Sequence, residues 1–178
     1  MKKLTLAFLC ALCALTVSAQ PSNLAEVQTE IEGFTPKQKL TVKYDKFEEQ
    51  TRFNARDADS TLRHCTVVRR KGGELVYLIT FTTTGKEWQW LGIKSVIIVA
   101  DDQRFTLING SGSNEIIRGA SSIITLELIT FTLTQEQFTN LFKSKVIEFK
   151  IGIREYKATP EISNYCLAID SLAKKLKD

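Results

Sequence analysis

Apolar and polar positions alternate with a period of two through most of the chain. Leu40, Val42 and Tyr44 interleave with Thr41, Lys43 and Asp45. Successive strand side chains point to opposite faces, so this spacing predicts a half-buried strand. Residues 51–54 continue it or pair with it. Two further strands are expected over 62–70 and 75–83, with Lys71-Gly72-Gly73 as the hairpin turn between them. Residues 95–100 are apolar on both faces, which predicts a central strand covered on both sides. Asp101-Asp102-Gln103 turns the chain into a strand over 104–108, and a Gly/Ser loop is expected over 109–114. The longest strand is expected over 123–133, with Ile123, Glu127, Ile129, Phe131 and Leu133 on one face.

The period then lengthens. Thr134 and Gln137 have the spacing of a capping box, and Phe138, Leu141 and Phe142 follow at helical intervals. Alternation returns over 145–151 and 154–158. Thr159 is placed as an N-cap and Pro160 as the first helical residue of a closing helix. Its apolar stripe of Ile162, Tyr165, Cys166, Ile169, Leu172, Ala173 and Leu176 requires a sheet to dock on. Eight or so strands with one or two helices predict a mainly β (α+β) fold. The expected form is an antiparallel β-sandwich or strongly curved sheet, with a short helix and a C-terminal helix packed on it. The domain organisation reads as an N-terminal arm over 20–37, with a helical turn at 23–31, and a single β-rich domain over 38–178.

The first 19 residues stand apart. Met1-Lys2-Lys3 is a positive start, residues 4–17 carry no charge, and Val17-Ser18-Ala19 supplies small residues before Gln20. That order is the pattern of a signal peptide cut near Ala19-Gln20. The uncharged run, about 14 residues, is shorter than the ~20 of a membrane span. Cys10 and Cys13 lie inside this segment without the context of a lipid attachment site. The expected location is therefore the periplasm or the exterior, with no membrane span in the mature chain. The Ser-Ala-Gln ending after a Met-Lys-Lys start resembles small uncharacterised exported proteins of Bacteroidetes type. The C-terminal third is similar to them only in outline, and the resemblance carries no functional residue over.

The formal charge of +4 falls to about +2 once Lys2 and Lys3 are removed, which gives no electrostatic basis for binding nucleic acid. Export leaves two cysteines, Cys65 and Cys166. An oxidising compartment permits a disulfide between them; buried free thiols are the alternative.

Candidate chemistry is sparse. His64 is the one histidine of the chain, and its neighbour Cys65 points to the opposite strand face, so the two form no local pair. A lone histidine also argues against zinc, and no metal or cofactor is expected. Asp57-Ala58-Asp59-Ser60-Thr61 resembles the nucleophile motif of haloacid dehalogenase-like phosphatases. It follows a polar stretch rather than a buried strand, so a solvated loop is expected. Asp101-Asp102 reads as turn chemistry, and Gly110-Ser111-Gly112-Ser113 reads as a hairpin loop, because Asn114-Glu115-Ile116-Ile117 looks like strand rather than the helix that would bind phosphate.

Trp88 and Trp90 would share one face if residues 87–90 were a strand. With Tyr77 and Phe47 they would then form an aromatic platform for a glycan or protein; packing into the core is the alternative. The expected function is a non-catalytic exported protein of the bacterial envelope with a binding or structural role. The alternatives are a hydrolase using Asp101 and Asp102, and an inhibitor or accessory subunit that adds a strand to a secreted partner.

Overall fold

Two antiparallel sheets, formed by strands that mostly follow one another as hairpins, make up the frame of the molecule. The computed structural model describes residues 20–33, 39–58, 60–118 and 123–177. The expected signal peptide (1–19) and the end of the arm (34–37) lie outside the described residues.

In chain order the elements are α1 (Leu24–Glu32), β1 (Leu40–Asp45), β2 (Gln50–Arg56), β3 (Leu62–Arg70), β4 (Leu75–Gly85), β5 (Val96–Ala100), β6 (Gln103–Leu107), β7 (Ser111–Arg118), β8 (Ile123–Leu133), α2 (Gln135–Lys143), β9 (Ile147–Ile151), β10 (Arg154–Lys157) and α3 (Pro160–Lys175). The large sheet runs β1-β2-β3-β4-β8-β7 and the small sheet β10-β9-β5-β6. The expected mainly β architecture with helices packed on antiparallel sheet is what forms.

Inner faces supply the core. Phe53 and Ala55, Cys65 and Val67, Tyr77, Ile79 and Phe81, and Ile129, Phe131 and Leu133 are buried along consecutive strands of the large sheet. Phe81 meets Phe131 within that sheet at 6.1 Å and Phe149 of the small sheet at 4.7 Å. Each large side chain so buried contributes about 1.5–3 kcal/mol. The stripe of α3 docks on β2 and β3, and α2 packs against β4 and β8.

A disulfide and two hydrogen bonds fasten α3. A disulfide joins Cys65 of β3 to Cys166, with Cα atoms 6.0 Å apart. The Tyr77 hydroxyl donates to Asp170 Oδ1 at 2.9 Å, while Lys174 Nζ donates to Asp170 Oδ2 at 2.7 Å. Burial first, and then the Asp170 bond, pushes the Tyr77 hydroxyl's pKa well upward. At the start of α3 the Thr159 hydroxyl donates to Asp57 Oδ2. Thr159 stands at the N-cap and Pro160 opens the helix, as expected, but the Thr159 side chain, turned to Asp57, makes no cap bond. The capping box of α2 does form, with Gln137 N donating to Thr134 Oγ1 at 3.1 Å and Thr134 N to Gln137 Oε1 at 2.9 Å.

The described part of the arm packs on the domain. Leu24, Val27 and Ile31 of α1 join the core. Asn23 Nδ2 donates to Lys175 O at 2.9 Å and Asn23 Oδ1 accepts from Lys177 N at 2.8 Å, tying α1 to the end of α3.

Two strand expectations need correction. β5 is buried on one face only. Its outer residues Ile97 and Val99 are half-buried, and their cross-strand neighbours are Thr106, Arg104, Lys150 and Glu148. Long side chains with apolar stems stand there in place of a second layer.

The Gly/Ser stretch is not a loop after Gly110, because β7 begins at Ser111. Gly110 is buried, with its N–H donating to Lys94 O at 3.0 Å. A Cβ there would lie 2.7 Å from Ile129 Cγ2 and from the Phe131 ring. Gly110→Ala is therefore expected to cost about 1–3 kcal/mol by overpacking. Chemical denaturation checks this, and an unchanged midpoint contradicts it.

Candidate functional site

Residues 86–92 form an irregular loop between β4 and β5, not the strand that a shared tryptophan face requires. Glu127 holds this loop. Its carboxylate is buried on the apolar face of β8 and accepts from Gln89 N at 2.6 Å and Trp90 N at 2.8 Å. Thr125 Oγ1 lies 3.0 Å from both Gly85 O and Glu87 O. Buried carbonyls, N–H groups and a carboxylate thereby satisfy one another.

The loop drives Trp90 inward. Trp90 is 2% exposed and meets Tyr156 edge-on at 6.0 Å, whereas Trp88 is 38% exposed. Tyr77 is buried against Phe138 and Asp170. Phe47, 88% exposed, sits in the turn between β1 and β2 with Lys46 Nζ over its ring. The four aromatic residues are thus not brought together. Two are core and two are separate surface residues, so the platform expected from the sequence is not formed.

Of the two candidate catalytic aspartates, Asp101 is engaged in structure. Asp101 adopts a positive φ of 50° in the β5–β6 turn, a conformation that aspartate tolerates better than most residues. Its carboxylate accepts from Lys145 N and Val146 N, with Oδ1 at 3.1 and 3.0 Å. Asp102 is exposed beside it. Asp57 is buried rather than solvated, because Thr159 reaches it from α3. No group of three or more His, Cys, Asp or Glu among the described residues is placed to hold a metal ion. No helix among them is long and apolar enough to cross a membrane.

His64 faces Arg56 in register across β2 and β3. Burial, then Arg56 and Arg63, lowers its pKa from the ordinary 6.5. The unfolded chain therefore binds the proton more readily. Stability held at neutral pH should fall as pH drops through 6.5 toward the folded-state value. His64→Gln should flatten that acid limb in denaturation curves; an identical slope in both proteins contradicts the assignment.

No family model, curated protein or solved structure matches this chain. Among the described strands, β7 alone has every residue exposed. β7 ends the large sheet, and all eight of its residues are exposed. Its pairing with β8 is continuous from Ser111↔Thr130 to Arg118↔Ile123, with no bulge. β4 pairs with β8 only as far as Thr125, so Ile123 and Ile124 pair with β7 alone. The resulting two-stranded end exposes Ile116, Ile117, Ile123 and Ile124. The sequence showed strand character at residues 114–117, but nothing in the Gly/Ser stretch before it signals that the strand begins at Ser111 or lies at a sheet edge.

Proposed function

We propose that this protein is exported and non-catalytic, and that it binds an extended segment of a partner protein along the free edge of β7. The observation that carries the reading is an eight-residue edge strand, exposed on both faces and, among the described residues, unpaired on one side. Such an edge presents a row of main-chain N–H and C=O groups, which natural proteins ordinarily protect with bulges, proline or a covering element. β7 has neither bulge nor proline, whereas the opposite edge, β1, has α1 packed against it.

Strand addition would take affinity from the main chain and selectivity from alternate side chains. Ile116 and Ile117, on opposite faces, supply apolar contact to either side of an added strand. The signal-like start supports a site of action in the periplasm or outside the cell. The engagement of Asp101 with main-chain N–H groups, and the placing of His64 among arginines, support a non-catalytic role.

A photo-crosslinking residue at Ser113 or Glu115 tests this in the producing cells. The expected result is an adduct with one partner protein from both positions, lost with Ile116→Lys/Ile117→Lys and absent from a probe at Thr41 on β1. Equal adducts from β1, or none from β7, contradict the proposal.

A further inference from the structure

The outward face of the small sheet bears a cleft of about 480 Å³, within the ~300–1,000 Å³ of small-molecule sites. Cross-strand register lays out what lines it. One row runs Arg104, Val99, Glu148, Lys157, and the next Thr106, Ile97, Lys150, Glu155. Ile97 and Val99 form an apolar strip along β5. Beyond them the charges are matched: Lys157 to Glu148 at 2.7 Å and Lys150 to Glu155 at 3.3 Å. Arg104, on the other side of the strip, has no acid partner among the described residues. The cleft therefore combines an apolar floor with a single unmatched cation.

We propose that this cleft binds a linear alkyl carboxylate. The planar guanidinium fork of Arg104 fits a carboxylate in two parallel hydrogen bonds. One unmatched positive charge suits a monoanion, and the nearby carboxylates of Glu148 and Glu155 oppose a dianion such as phosphate. The Ile97–Val99 spacing, about 7 Å along an extended strand, gives the alkyl chain its bed. This site is separate from the β7 edge and stands or falls without it.

Decanoate, kept below its critical micelle concentration, is the probe, titrated calorimetrically into the purified protein. Saturable binding is expected, weakened roughly tenfold or more by Arg104→Gln and equally by replacing decanoate with decanol. Val99→Asp should weaken it as well. Arg104 is exposed, so its variant should keep the wild-type circular dichroism and melting curve. Three results overturn the proposal: no saturable binding, unchanged affinity in Arg104→Gln, or decyltrimethylammonium binding as tightly as decanoate.

Discussion

Replacing Cys65 and Cys166 together with alanine is expected to lower the unfolding free energy by about 4 kcal/mol. The bridge spans a sequence separation of 101 residues, running from β3 to α3. Closing so long a loop restricts the unfolded chain strongly, which in the chain-entropy account is worth up to ~4–5 kcal/mol. Both sulfurs lie in the core, so the alanines also leave small cavities that add to the loss. A domain of this size holds only about 5–15 kcal/mol in total, so the variant should unfold at much lower denaturant. Equilibrium denaturation of the variant, and of wild type under reductant, measures this. A loss below about 1 kcal/mol would mean that the α3 docking surface is sufficient without the bridge.

Trp90→Ala should destabilise by about 3–5 kcal/mol, whereas Trp88→Ala should stay within about 1 kcal/mol. The two residues are two positions apart, and the contrast comes wholly from the loop. Glu127 pins the main chain at Gln89 and Trp90 and so directs the second indole against Tyr156. Trp90 Nε1 has no hydrogen-bond partner among the described residues, so truncation removes packing without also breaking a side-chain hydrogen bond. Thermal unfolding of both variants gives the comparison. Equal losses would contradict the assignment of Trp90 to the core and Trp88 to the surface.

The parts of the fold legible in the sequence were those that bury one face. Alternation marked β1, β3, β4, β8 and β9, because each has an inner face of apolar residues. The helical stripe and Pro160 marked α3, and Thr134 with Gln137 marked α2. Cys65 and Cys166 could be read only as a permitted pair, since their proximity depends on how α3 docks.

β7 was legible only over residues 114–117, for a physical reason. A strand exposed on both faces has no apolar alternation, and its conformation is set by pairing with β8. The tryptophans misled in the opposite way. An i, i+2 pair imitates strand alternation, yet an acid two residues from Ile129 on the apolar face of β8 was the visible sign of a buried anchor. Asp57 could not be read as buried because its partner, Thr159, is 102 residues away.

Hydrogen exchange on the protein, alone and bound to the partner captured at β7, tests the central claim most directly. Alone, the outward amides of β7 should exchange quickly while residues 125–130 of β8, paired on both sides, are protected. In the complex, β7 should gain protection along residues 111–118 while β1 stays unchanged, as main-chain bonding to an added strand requires. Protection gained at β1 or elsewhere, with β7 unchanged, would contradict the account.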